Sequence, residues 1–358
     1  MTIDDLNILW LDLFDFLTYN KKIKILSVVE KGTNLRKVFL NNLEIRNILN
    51  EQEFNKMALC LDDEYLNIRL KQYEKDNIKL ITFNNPNYPY ILKEISSPPL
   101  CLYCKGNIQL LNSFCIGIVG TRKPSEYGIV VTKQYVKELV KADITIVSGM
   151  ATGIDTIAHR TTVEEQGKTI AVLGGGFNHI YPAVNTNLAK QIAENNLLVS
   201  EYNPNIQPTV YSFPTRNRII AGLSKGILTT EMGEKSGAMH TVNYALEFNR
   251  DVFVVPGRIN SPTSKGCNEL IKTLQGSITT TPEDILNTYN FKAEDNKYNI
   301  QLNLEEQMII DFIKSEKRTF QEILEHTKLP IKNLNAMLLS LEMEGLVIKL
   351  ANNSYICS

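Results

Sequence analysis

Arg216 and Arg218 stand two residues apart, just after Tyr211 and Phe213, in a stretch (203–230) that holds no Asp or Glu. Guanidinium groups grip phosphate oxygens and aromatic rings stack on bases, so this combination suits an anion with flat parts, single-stranded nucleic acid above all. The same residues also fit a solvated loop that opens into a helix at Arg216, and residue type alone leaves both readings open. A further cation, Arg122, follows Gly120 in Gly117-Ile-Val-Gly120-Thr-Arg122, where a turn beside a helix start would offer backbone amides to a phosphate. A dinucleotide fingerprint would need further glycines at set spacing and an acid about 20 residues on; neither is clearly placed, so NAD is not expected.

Other constellations carry less. Ser148, Asp155 and His159 could form a nucleophile, orienter and base, with Asp155 and His159 one helical turn apart. No Gly-x-Ser-x-Gly elbow frames the serine, and an acid at a helix start ordinarily caps it, so capping is the expectation. Glu231, Glu234, Lys235, Ser236 and Gly237 form a turn ahead of a helix whose first amides could meet an anion; the full Gly-x-x-x-x-Gly-Lys-Ser/Thr phosphate loop is absent. Cys101 and Cys104 are the one close cysteine pair, without the further ligands that zinc needs. Cys101-Leu-Tyr-Cys104 reads as extended chain rather than the helix start of a redox pair. Free, partly buried thiols are expected, and no metal.

The elements that must position these residues alternate regularly from 113 to 279. Apolar strands are expected over 114–119, 144–147, 169–173, 197–200, 226–230 and 251–255, with helices over 129–141, 154–166 and 184–194 among those between them. Strands apolar on both faces, alternating with amphipathic helices, predict a doubly wound, mostly parallel α/β sheet. Such sheets bind ligands outside the carboxyl ends of their strands. The loops at that end are 120–128, 148–153, 174–182, 202–215, 231–237 and 256–266, and they carry every candidate named above except the cysteines, Arg216, Arg218 and the helical His159 and Asp155 that adjoin them.

Residues 1–76 read as a small helical domain with 13 acids, 11 bases and no basic cluster. A connector with strand 79–83 and a turn cluster at 84–89 adds an edge strand to a core spanning 77–288. After a polar linker, helices over 305–314, 319–327 and 330–344 and a hairpin over 345–356 make a winged helix within 302–358. Its third helix sets Lys332 against Glu342 and Glu344, and residues 304–358 hold 6 bases and 8 acids. Duplex reading needs positive charge, so a protein-contact or regulatory module is expected instead.

The 358 residues are 43% hydrophobic and 22% charged, with a formal net charge of −1. That is an ordinary globular composition, and any polyanion binding must rest on a local patch. No apolar run approaches the ~20 residues of a membrane span, and Asp4 and Asp5 stand where a signal peptide would carry lysines. A cytoplasmic protein is expected.

Several long motifs occur in a fixed order: Gly120-Thr-Arg122 with Ser125-Glu-Tyr-Gly128, then Val147-Ser-Gly-Met-Ala-Thr-Gly-Ile-Asp-Thr-Ile-Ala-His159, then Phe213-Pro-Thr-Arg-Asn-Arg-Ile-Ile-Ala-Gly-Leu-Ser224. Lys235-Ser-Gly237, Val254-Val-Pro-Gly257 and Gly266-Cys-Asn-Glu-Leu-Ile271 follow. Over about residues 78–286 the chain resembles the bacterial DNA-processing A (DprA/Smf) family. The resemblance implies an extended Rossmann-like core between a helical N-terminal domain (SAM-like or helix-hairpin-helix-like) and a C-terminal winged helix. It implies a non-catalytic protein without cofactor that binds single-stranded DNA, dimerises and loads RecA recombinase during natural transformation, with single-strand-binding protein as a further partner. Carried over by motif, Gly120, Arg122, Phe213, Arg216, Asn217, Arg218, Lys235, Ser236 and Gly237 would form the DNA pocket, Phe213 stacking a base, and residues 266–278 would lie near the dimer face. Some members carry a lysine just before the pocket aromatic, where this chain has Val210 and Tyr211; many have Gly-Ala where this chain has Leu274-Gln275. The rival class is a nucleotide phosphoribohydrolase on a related fold, but Glu231-Met-Gly-Glu-Lys-Ser-Gly237 lacks that family's Pro-Gly-Gly-x-Gly-Thr loop.

Overall fold

The computed structural model describes residues 1–291, 302–314, 316–343, 345–350 and 353–357. In chain order the main sheet's strands are β1 (Lys79–Thr82), β2 (Cys101–Gly106), β3 (Cys115–Val119), β4 (Thr145–Ser148), β5 (Thr169–Leu173), β6 (Leu197–Ser200), β7 (Gly226–Thr229), β8 (Asp251–Val254) and β9 (Ser277–Ile278). They assemble in the order β1-β2-β6-β5-β4-β3-β7-β8-β9. From β6 to β9 every pairing is parallel. The chain steps from β3 through β4 and β5 to β6, then returns to lay β7 beside β3, so the crossovers diverge at the β3/β7 pair. That is the topological switch point, where doubly wound sheets open a crevice.

The helices are α1 (Ile3–Asp12), α2 (Tyr19–Ser27), α3 (Leu35–Val38), α4 (Leu43–Ile48), α5 (Glu51–Ala58), α6 (Asp63–Lys75), α7 (Tyr90–Lys93), α8 (Glu126–Lys141), α9 (Ile154–Glu164), α10 (Thr186–Asn195), α11 (Ser212–Leu223), α12 (Ala238–Glu247), α13 (Lys265–Lys272) and α14 (Pro282–Thr288). Alternate strand residues serve opposite layers, as the pleat requires. Ile170 and Val172 pack with Ile219 and Ile220 of α11 and Val242 of α12. Ala171 and Leu173 pack with Leu188, Ala189 and Ile192 of α10.

Two antiparallel edge strands, β1 and β2, extend the sheet beyond β6, one more than the connector promised. The N-terminal helices close over one face of them. Trp10, Phe39 and Met57 share a core with Leu80, Cys101 and Tyr103. The buried Tyr103 hydroxyl donates to Asp12 at 2.7 Å, and Thr82 donates to the Asp5 carboxylate. Residues 1–290 therefore form one compact unit and 291–358 a second. Cys101 and Cys104, an odd number of residues apart on β2, face opposite layers and cannot share a ligand. Both are free thiols raised by burial.

In the second unit α15 (Leu304–Ile313), α16 (Phe320–Thr327) and α17 (Ile331–Met343) surround Ile309, Ile313, Ile323, Leu334 and Leu338. Strands β10 (Arg318–Thr319), β11 (Val347–Leu350) and β12 (Ser354–Cys357) form its three-stranded wing, in the order β10-β12-β11. The linker residues 292–301 and the side chain of Glu344 lie outside the described residues. Among those described, no helix is long and apolar enough to cross a membrane.

Candidate nucleic-acid interface

The carboxyl ends of β4 and β5 lie beneath the first half of α11, in the same parallel sheet as those of β3 and β7. The expected loop over 202–215 ends earlier than its composition suggests, because helix begins at Ser212. Pro214 falls in the first turn, where its missing N–H costs nothing. Phe213, Arg216, Asn217 and Arg218 are thus helical residues, and α11 has no acid in its first turn.

Helical geometry changes what the arginines can do. Arg216 is 4% exposed. Its guanidinium donates to the carbonyl of Gly149 at 2.5 Å and to that of Val172, and Nε donates to Asn217 Oδ1 at 3.1 Å. Asp155 stands close enough to oppose its charge electrostatically, and burial lowers the Arg216 pKa to about 10, leaving it charged at neutral pH. Arg218, 5% exposed, is paired with Glu201 at 2.5 Å. Neither is the free, solvent-facing cation that the acid-free stretch suggested; the acid that pairs with Arg218 lies just outside that stretch. Both brace α11 against the sheet.

Two glycines permit that bracing. A Cβ on Gly149 would lie 2.6 Å from the Arg216 guanidinium, and one on Gly174 would lie 2.7 Å from the Phe213 ring. Phe213 is half-buried and packs against Tyr181, ring centroids 5.4 Å apart. Tyr181 is itself 57% exposed and Tyr211 82%. The aromatic surface offered to solvent therefore comes largely from these two tyrosines. Sequence reasoning passed over Tyr181, whose only signal is its place on the loop after β5.

The unpaired cations sit around the switch point. Gly120 follows β3, the next residue's amide (Thr121) donates to the Glu231 carbonyl at 2.8 Å, and Arg122 and Lys123 then run into solvent. Across the β3/β7 pair, Lys235 is exposed, Ser236 half-buried and Gly237 exposed, and the Ser236 hydroxyl accepts from the Ala238 amide at 3.3 Å. Asn217 ties the two sides together by donating to the Gly237 carbonyl at 3.5 Å. Among the described residues Arg122, Lys123 and Lys235 belong to no ion pair. Glu234 is an exposed acid on the same turn.

The residues that might have done covalent chemistry are otherwise engaged. Ser148 donates to the Ile118 carbonyl at 2.6 Å, and Asp155, instead of capping its own helix as expected, accepts the amides of Gly149 and Ala151 and so pins the loop between β4 and α9. Burial raises the Asp155 pKa against the opposing pull of Arg216. His159 meets Thr169 Oγ1 at 2.7 Å through Nδ1, and burial drives its pKa down to about 3. Glu231, 2% exposed, spends its carboxylate on the Ser125 amide (2.8 Å) and the Thr263 hydroxyl. No group of three or more His, Cys, Asp or Glu that could hold a metal occurs among the described residues.

Comparison with known proteins matches residues 79–290 to the family model described as DNA recombination-mediator protein A, and residues 297–353 to the DprA winged helix domain. The DNA processing protein DprA of Bacillus subtilis is 43% identical over 204 residues, 57% of this chain and 69% of that protein. The crystal structure of DNA processing protein A from Streptococcus pneumoniae superimposes with a TM-score of 0.70 at 33% identity, covering 82% of this chain and 99% of that one. A Helicobacter pylori DNA processing protein A, described for its unique single-stranded DNA binding mode, gives a TM-score of 0.54 at 32% identity over 59% of this chain and 96% of that one. The sheet and the winged helix are those of one family, described as DNA recombination-mediator protein A, and this chain belongs to it.

Proposed function

We propose that the mouth at the carboxyl ends of β3 and β7 binds single-stranded DNA without cleaving it, and that the chain presents this strand to RecA recombinase during DNA uptake. One observation carries the reading. Unpaired Arg122, Lys123 and Lys235 and the exposed rings of Tyr181 and Tyr211 surround a floor whose own ionic groups, Arg216, Asp155 and Glu231, are satisfied internally. Solvent-facing cations take phosphates and exposed rings take bases, while a braced floor holds both in place. Phe213 stands behind Tyr181, so a base entering the mouth meets an aromatic wall two rings deep. Gly120 lets Ile154 and the Glu231 carbonyl close against the end of β3, and Asn217, Ser236 and Gly237 line the far side of the switch point. Arg218 serves from behind, through Glu201.

The relatives' names and the Helicobacter pylori structure support this reading. A homodimer would use the opposite sheet edge, where Leu274 (92% exposed) and Ile278 (55%) leave apolar surface uncovered. The test is a mobility-shift titration of single- and double-stranded oligonucleotides with and without RecA, and with single-strand-binding protein as competitor. Preference for the single strand and faster RecA filament growth are expected. Equal binding of duplex, or release of free base from nucleoside monophosphates, would replace the reading with duplex binding or with a phosphoribohydrolase.

A further inference from the structure

A groove of about 1070 Å³ runs along α10, in the seam between that helix and the strands and helices of the N-terminal side. One end is walled by Phe177 and His179, on the loop that leaves the carboxyl end of β5 and continues into Tyr181 at the mouth. The other end reaches Lys105 and Gly106; Gly106 pairs with Leu197, the first residue of β6, so the groove crosses the sheet from its carboxyl to its amino end. Three lysines line it, Lys79, Lys105 and Lys190, against the single acid Glu194. None of the three lysines is in an ion pair among the described residues.

The chain balances 38 bases against 39 acids, whereas this lining sets three bases against one acid. Three unpaired lysines along one concave track, with an aromatic ring at the end that touches the mouth, therefore suit a linear polyanion. The volume is at the top of the range of small-molecule pockets, and the groove is open along its length rather than closed around one ligand. We infer that this groove is a second segment of the single-strand path: nucleic acid held at the mouth passes Tyr181 and continues along α10, its phosphates met by Lys190, Lys79 and Lys105. The inference rests on the mouth being the primary site.

The experiment compares thymidylate oligonucleotides of about 6 and about 20 nucleotides, within and beyond the ~4–16 that one binding module spans. It uses the native chain, the triple variant Lys79→Glu, Lys105→Glu, Lys190→Glu, and a control in which the exposed Lys24, Lys31 and Lys37 are replaced by Glu. The native chain should gain affinity with length, and its salt slope for the long strand should be steeper than that of the triple variant by about 2, three contacts at ~0.7 each. The triple variant should bind the short strand as the native chain does and lose the length-dependent gain; the control should keep it. Retention of the gain by the triple variant, or its loss in the control as well, would overturn the groove path while leaving the mouth intact. A native chain that fails to bind even the short strand would overturn the mouth reading, and the groove path with it.

Discussion

The mouth of the sheet and the third helix of the wing are both places where a nucleic-acid protein is expected to touch its ligand, and they are built from opposite materials. Around the mouth Arg122, Lys123, Lys235, Tyr181 and Tyr211 face solvent. On α17 the exposed line at four-residue spacing is Ile331, Asn335, Leu339 and Met343, with Lys332 beside it and Glu342 near its end. A helix shaped like a recognition helix, but with an apolar exposed line and, among its described residues, one Lys set against one Glu, has little means of drawing in phosphate. Fold supplies a place for a ligand, and the side chains there decide which one. The proposal for the wing is accordingly a contact with protein.

Four measurements would break or sharpen that contrast. The largest effect is expected at the floor of the mouth. Arg216→Ala strands Asp155 in the interior, and the loss of a partner from a buried ionic network costs about 3–5 kcal/mol, readable as a fall in the urea midpoint. Arg122→Ala, by contrast, should leave the midpoint within about 0.5 kcal/mol. Equal stability of the two variants would mean that Arg216 is not structural.

The second concerns acid. His159 is held neutral in the fold, its pKa lowered from 6.5 to about 3. Its contribution to stability is complete above pH 6.5 and is lost as pH falls from there toward 3, because the unfolded chain takes up the proton first. His159→Gln should flatten the stability–pH curve in that window, and a parallel curve would place the acid sensitivity elsewhere.

The third is at the rim. Tyr211→Ala and Tyr181→Ala should each weaken single-strand binding by roughly 1–3 kcal/mol if the rings stack bases. Adding Arg122→Ala with Lys235→Ala should make the salt slope shallower by about 1.4, two contacts at ~0.7 each. Unchanged binding would return the rim to plain surface. The smallest effect is reserved for the wing: Lys332→Ala should change neither single-strand nor duplex affinity by as much as twofold in fluorescence anisotropy, and a marked loss of duplex binding would make α17 a DNA reader after all.

The scaffold was legible because its signals are local. β3 to β7 are buried at every position and apolar at most of them, and a strand buried on both faces advertises itself without reference to its neighbours. The loops at their carboxyl ends follow from that, and with them the region of the mouth. The loop expected over 202–215 overran the start of α11, because helix begins at Ser212 and Pro214 is harmless in a first turn. The second antiparallel edge strand and the shared core of the N-terminal helices depend on contacts such as Tyr103 to Asp12, across 91 residues.

What the sequence determined by itself was the architecture, the acid-free arginine stretch and the set of glycine turns, since each is a matter of residue type and spacing. Tertiary structure alone decided which charges are free. Arg216 reaches carbonyls 67 and 44 residues away, and Arg218 meets Glu201, just past the end of β6, only because α11 packs back across the sheet. Whether a guanidinium grips a ligand or the protein's own backbone depends on how much water is left around it, and burial is a property of the packed molecule rather than of any stretch of chain.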